Sequence, residues 1–341
     1  MHLLLGNGEK KSITCPFCME EITRKAAVSR NYPRCPKCNA RLPKTIFQCD
    51  RYINVCLVGQ VNCGKTVYMT VMVNEFSKKL TDKLHLETMI DYDDHDDDEN
   101  RRAVETNIRN LYEEKRLPGS THENVCVPQI YQIKDMMRGK IGQRNPIYCL
   151  AVLDGAGEDY KKMTDIAKNN IRGADYILYL VDPTTLPAVQ RKLGKKTADG
   201  RNGETIARNM AQYLREALNL HSSKKITKPI AVLLTKFDVI QSMMSGAKVT
   251  QQNDLTVGKT LMKSDMDDVN AEIRSWFRAN GETQFWAQLE ADFSNIRFFG
   301  VSSIGHDVPN KNDVGIVTPH RVLDPILWVM SEERILVRVE V

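Results

Sequence analysis

The feature that most narrows what this chain can fold into is an eight-residue turn, Gly59-Gln60-Val61-Asn62-Cys63-Gly64-Lys65-Thr66, set directly behind an apolar run. The run from Arg51 to Val58 carries Ile53, Val55, Leu57 and Val58 and reads as a buried strand. The turn has the spacing G-x-x-x-x-G-K-[ST]. Its glycines let the backbone curl so that successive N–H groups face one centre, which suits a polyphosphate. Lys65 would reach the β- and γ-phosphates, and the Thr66 hydroxyl would ligate Mg2+. Residues 67–80 contain neither Gly nor Pro and carry Val71, Phe76 and Leu80. A helix should therefore follow, its positive end toward the phosphates. Gly59, Asn62, Cys63, Gly64, Lys65, Thr66 and Val67 are the expected nucleotide-binding residues, with Cys63 read as a small filler rather than a redox switch.

Ahead of this strand lies a head with two Cys-x-x-Cys pairs, Cys15-Pro16-Phe17-Cys18 and Cys35-Pro36-Lys37-Cys38, separated by 16 residues. A Cys-x-x-Cys turn can aim both sulfurs at one ion, and two such turns complete a tetrahedral zinc shell. Four thiolates leave no open position, so the expected site is structural. A segment of about 48 residues with few large apolar side chains needs such a staple to fold.

The chain has 341 residues, 42% of them hydrophobic and 27% charged, which suits a folded globular protein of two domains, or of one large domain with an appendage. The net charge of +5 is confined to residues 1–50, which hold nine basic and four acidic residues. Thiolates binding zinc would cancel part of it. Arg24, Lys25, Arg30 and Arg34 lie between the cysteine pairs with Tyr32. They read as solubilising charge or a protein contact in preference to a nucleic-acid surface. No run approaches 18 uncharged apolar residues, so no transmembrane segment is expected. The opening Met1-His2-Leu3-Leu4-Leu5 is too short for a signal-peptide core. Nine cysteines without an export signal suggest a reducing, cytoplasmic setting.

Further apolar, β-rich runs follow. Ile147 to Leu153 ends in Asp154-Gly155-Ala156-Gly157, and Ala174 to Asp182 is a third strand. Pro229 to Leu234 runs into Thr235-Lys236-Phe237-Asp238, and Ile296 to Val301 ends at Ser302-Ser303-Ile304-Gly305. In content and order, from about Arg51 towards the C-terminus, these segments resemble the Ras-like and translation-factor-related class of P-loop GTPases.

The resemblance implies roles. Asp154 would hold the Mg2+ shell, and the Gly157 N–H would sense the γ-phosphate. Thr235-Lys236-Phe237-Asp238 looks like the N/T-K-x-D base motif, with Thr235 in place of the commoner Asn. Asp238 would accept hydrogen bonds from guanine N1–H and N2–H2, donors that adenine lacks. Lys236 would lie along the base plane, and Ser302 and Ser303 would bring backbone to guanine O6. A switch threonine capping Mg2+ and the γ-phosphate falls best on Thr121, with Ser120 and Thr106 as competitors. Glu158 stands where many members carry the glutamine that orients the attacking water; it could take a proton from water, yet its charge would repel the γ-phosphate. Hydrolysis would then be slow or need a partner's cation.

The expected architecture is a small zinc ribbon, 1–48, followed by a doubly wound, mostly parallel α/β GTPase domain, 50–341. This combination resembles prokaryotic zinc-ribbon GTPases, including the double-GTPase group. The implied function is a Mg2+-dependent GTP-binding and GTP-hydrolysing switch with a protein effector or activator. The alternatives are a nucleotide-holding scaffold with little turnover and an ATPase. Elsewhere, the acidic run 91–99 reads as a solvated loop and 158–172 as a second, helical switch. Residues 100–115 place Val104, Ile108, Leu111 and Tyr112 on one helical face. Residues 187–204 read as an exposed loop and 239–265 as largely unpatterned. Val269, Ile273, Trp276 and Phe277, then Phe285, Leu289 and Phe293, suggest two core helices before a last helix near Ile326 and a strand near Val337.

Overall fold

Along the strand Arg51–Gly59, Ile53, Val55 and Leu57 enter one apolar cluster, while Cys56 and Val58 enter another. Alternate residues of a strand point to opposite faces, so this strand is covered on both sides. The computed structural model describes residues 12–27, 32–90, 99–119, 126, 128–136, 144–194, 201–253, 260–280, 283–308, 310 and 312–339. Thr121 and Ser120 lie outside the described residues, as do residues 91–98 of the acidic run.

The head contributes β1 (Ser12–Thr14) and β2 (Glu21–Thr23), an antiparallel pair. Then come β3 (Arg51–Gly59), α1 (Lys65–Leu84), β4 (Leu86–Ile90), α2 (Glu99–Tyr112), β5 (Gln129–Asp135), β6 (Ile147–Asp154), α3 (Gly157–Lys162), α4 (Asp165–Gly173), β7 (Tyr176–Val181), α5 (Pro187–Lys192) and α6 (Arg201–Ala217). The chain continues through β8 (Ile230–Leu234), α7 (Asp238–Gln241), β9 (Thr260–Met262), α8 (Lys263–Ala279), α9 (Thr283–Asp292), β10 (Ile296–Gly300), α10 (Asp324–Glu332) and β11 (Val337–Val339).

Seven strands form one sheet in the order β10-β8-β7-β3-β6-β5-β4. Contacts from β10 to β6 are parallel, and β5 pairs antiparallel with both β6 and β4. This is the mostly parallel α/β sheet the sequence implied. One face packs against α1, α2 and α10, through residues such as Tyr68, Phe76, Leu111 and Trp328. The other packs against α4, α6, α8 and α9, through residues such as Ile171, Met210, Phe277 and Phe285.

One region was not anticipated and two differ from the expectation. β4 follows α1 after a single residue, His85, in a left-handed conformation (φ 51°). Residues 187–192 are helical: Pro187 occupies the first turn, where its missing N–H costs nothing, and Ala188, Val189 and Gln190 are buried. Within 239–265 the chain builds most of α7, all of β9 and the start of α8, and β9 pairs with the terminal β11 in a separate ladder.

The cysteine head docks on the end of the sheet where β3 begins. Tyr52 of β3 packs against the head's own core of Ile13, Ile22, Leu42 and Phe47. Arg144 clamps the connection, donating to Asp50 Oδ2 at 3.0 Å and to the Gln48 carbonyl at 2.9 Å. Met19 is buried against Gly173 at the end of α4, and the neighbouring Glu20 pairs with Arg172 at 2.9 Å. A Cβ on Gly173 would stand 2.5 Å from Met19 Sδ and 2.6 Å from its Cβ, closer than atoms pack. Gly173→Ala is therefore expected to cost about 1–3 kcal/mol by overpacking, read as a lowered thermal midpoint and faster proteolysis within residues 12–50.

Candidate functional site

The turn after β3 is built by backbone geometry. β3 ends at Gly59, where a Cβ would lie 2.7 Å from both Cys63 Sγ and the Leu180 carbonyl oxygen. Asn62 and Gly64 take positive φ (62° and 92°), and α1 starts at once with Lys65. Lys65 is buried, and its ammonium donates to the carbonyls of Gly59 (3.0 Å) and Gln60 (3.1 Å). Cys63 is wholly buried, and that burial pushes its thiol pKa up. Val67 is half-buried against the sheet.

β6 brings its terminal carboxylate to the same place. Leu57 of β3 is in register with Asp154, and the Thr66 hydroxyl donates to Asp154 Oδ2 at 3.2 Å. A hydroxyl and a carboxylate this close, both beside a helix start, form a donor set that suits a hard cation such as Mg2+. Three residues on, Gly157 presses on the turn itself: a Cβ there would lie 2.5 Å from the Val61 nitrogen and 2.8 Å from the Gln60 carbonyl carbon. Only hydrogen fits between the two backbones. Glu158 is half-buried in the first turn of α3, and Asp159 accepts from the Thr164 hydroxyl at 3.1 Å, tying α3 to the start of α4.

The loops after β7, β8 and β10 meet the same turn from the other side. The Thr235 hydroxyl, buried, donates to the carbonyls of Cys63 (2.8 Å) and Val181 (3.2 Å). Lys236 has φ 48°, and its ammonium reaches the Asn62 carbonyl at 3.1 Å and Asp182 Oδ2 at 2.5 Å. Ser302 is buried and donates its hydroxyl to Asp238 Oδ1; Ser303 beside it is half-buried. Phe237, between Lys236 and Asp238, is fully buried, and the His320 ring stacks on it at 5.8 Å and 9°. Burial pulls the His320 pKa below the usual histidine range, and its Nε2–H donates to the Val249 carbonyl at 2.7 Å.

Thus the structure gathers Gly59 to Thr66, Asp154, Gly157, Thr235 and Lys236 at one rim of the sheet, with the Asp238–Ser302 pair at the β8–β10 side of it. The sequence reading passed over Asp182 and His320. Asp182 had a faint signal, an acid ending an apolar β-run just as Asp154 does. It is buried, accepts from the Thr184 N–H (2.9 Å) and hydroxyl (2.7 Å), and so caps the 3-10 turn that follows β7. His320 had none, since its partners lie 18 to 83 residues away in the chain.

The four head cysteines form a second candidate site. Their Sγ atoms lie within 4.8 Å of one another, with Cys15–Cys38 at 3.8 Å and Cys18–Cys35 at 3.7 Å. Thiolates on a tetrahedron around zinc, with Zn–S near 2.3 Å, stand about 3.8 Å apart, so the set fits. Each pair sits in the same turn. The N–H of Cys15 bonds to the Glu20 carbonyl and that of Met19 to the Cys15 carbonyl; Cys35, Ala40 and Asn39 repeat this at matching distances. Met19 and Asn39 share a left-handed φ (58° and 60°).

No protein-family model matches the chain, and no curated protein matches it. Among solved structures it has a likeness to the bacterial selenocysteine-specific elongation factor EF-Sec, at 13% identity and a TM-score of 0.30. That likeness covers 84% of this chain and 29% of the other, so the chain spans less than a third of that protein's length. Among the described residues, no helix is long and apolar enough to cross a membrane.

Asp182→Ala would leave Lys236 without its carboxylate and the Thr184 N–H uncapped. The expected cost is about 1–3 kcal/mol of stability, measured by denaturant unfolding against the wild type.

Proposed function

We propose that this chain is a P-loop GTPase: it binds Mg·GTP in the cleft at the β3 rim, hydrolyses it, and acts as a switch. One observation carries the reading. The Thr235 hydroxyl bonds to the Cys63 carbonyl, which ties the segment suited to reading a base to the loop suited to holding phosphates. A pocket assembled in that way fits one ligand carrying both a base and a polyphosphate.

In this reading the backbone N–H groups from Gly59 to Thr66 cradle the phosphates, and the Lys65 ammonium leaves its loop carbonyls for phosphate oxygens. Thr66 and Asp154 would hold Mg2+, and Thr121 is proposed as the third group of that shell; the ion would neutralise phosphate charge when bound. The Gly157 N–H reports whether a γ-phosphate is present, because its backbone already touches the loop. Asp238 distinguishes guanine from adenine, Lys236 borders the base, and Ser302 and Ser303 close its far edge. The division into a zinc ribbon, 1–48, and a GTPase domain, 50–341, belongs to the same proposal, as do Zn2+ at Cys15, Cys18, Cys35 and Cys38 and a protein effector docking there.

A second reading, a nucleotide-holding module with little turnover, draws on Glu158. Its half-buried carboxylate sits in the first turn of α3, one residue from Gly157. A charge there repels the γ-phosphate, so hydrolysis is expected to be slow without a partner's Arg or Lys.

Two measurements test these statements. Phosphate release from GTP by the purified chain should be abolished in Lys65→Ala, and Asp238→Asn should weaken GDP at least about tenfold while sparing ADP. Failure of the wild type to bind GTP at all ends the proposal; tight GTP retention without turnover selects the second reading. The chain should also carry one zinc, lost in Cys35→Ser and to a strong chelator, with loss of order confined to the head.

A further inference from the structure

Two residues that no motif marks stand behind the base side of the cleft. The His320 backbone exchanges both hydrogen bonds with Ser302, at 3.0 and 2.8 Å, and its ring lies flat on Phe237. Ser302 and Phe237 are in turn the groups that fix Asp238: one donates to its carboxylate, the other precedes it in the chain. Next to His320, Arg321 takes a left-handed backbone (φ 49°), and its side chain is 1% exposed.

A buried guanidinium persists only where its partners satisfy it with good geometry. Here Nε donates to Asp324 Oδ2 at 2.8 Å, Nη1 to the Gln251 carbonyl at 2.8 Å, and Nη2 to Asp265. Asn253 completes the Asp324 carboxylate at 2.9 Å, and Lys248 stands 3.6 Å from Asp265, balancing the second acid. One cation therefore pins residues 320 and 321 to three places at once: the start of α8, the start of α10, and the segment from Lys248 to Asn253. The left-handed backbone is held against its own cost by that network.

We infer that His320 and Arg321 are positioning residues for purine selectivity, setting where the Asp238 carboxylate stands without touching the nucleotide. The inference rests on the guanine reading of Asp238 above. Selectivity of this kind depends on a carboxylate meeting two donors at hydrogen-bond geometry, and it collapses when the carboxylate drifts by about 1 Å. Phosphate binding depends on a different backbone, from Gly59 to Thr66, which neither residue contacts among the described hydrogen bonds.

The test is displacement of a fluorescent GDP from the full chain by GDP and by ADP, in wild type, Asp238→Asn, His320→Ala and Arg321→Met. The expected result is that His320→Ala and Arg321→Met each cut the preference for GDP over ADP by about tenfold or more, with ADP affinity held within about twofold. Thermal melts establish that each variant is folded. If Arg321→Met does not fold, Arg321→Met combined with Asp265→Asn and Asp324→Asn removes the stranded charges, and His320→Ala decides independently. Folded variants that keep the wild-type preference, or lose GDP and ADP equally, overturn the inference while a selectivity loss in Asp238→Asn leaves the guanine reading standing. A wild type with no guanine preference, or one unmoved by Asp238→Asn, overturns both.

Discussion

Every group at the cleft depends on the register of the parallel ladder around β3. Leu57 faces Asp154 on one side while Gly59 faces Leu180 on the other, and Leu234 is level with both Val181 and Gly300. Five strands therefore stop at nearly one height, and the five loops that leave them start from a common rim. A slip of one residue would exchange the two apolar faces, so burial on both sides fixes the register. The loop positions follow from that burial, which brings Asp154, Asp182 and Asp238 to the same rim.

The loops are then joined by hydrogen bonds between distant parts of the chain. Thr235 reaches Cys63, Lys236 reaches Asn62 and Asp182, and Thr66 reaches Asp154. Gly157 adds a close approach between two backbones, with no room for a side chain between them. From there a path of packed groups leads away from the rim: α3, the Asp159–Thr164 bond, α4, and finally Gly173 against Met19. It ends just before β7, toward the end of the sheet where β3 begins.

Much of this was legible in the residues themselves. Uninterrupted apolar runs such as Ile230 to Leu234 mark strands buried on both faces, and the loop leaving each run lies at the rim by necessity. The paired Cys-x-x-Cys turns were legible for a related reason: chemistry at a fixed short spacing constrains the local backbone. Other parts were hidden. β4 is an edge strand whose Glu87 and Thr88 break the apolar pattern, and it follows a helix with only His85 between them. Residues 187–192 mix Lys, Arg and Gln with two small apolar residues, a composition that suits a loop equally well, and tertiary burial of Val189 decides for a helix. Arg321 was hidden most completely: Asp324 stands only three residues on, but Gln251 and Asp265 arrive from distant elements, and local spacing does not reveal a three-way junction.

The two cysteine turns of the head are copies of one backbone shape, yet they face different surroundings. In the first, the left-handed position carries Met19 and is buried beneath α4; in the second, it carries Asn39 and is exposed. One corner thus joins Tyr52, Arg144 and the Glu20–Arg172 pair in seating the head on its support, and its twin is left wetted and outward-looking.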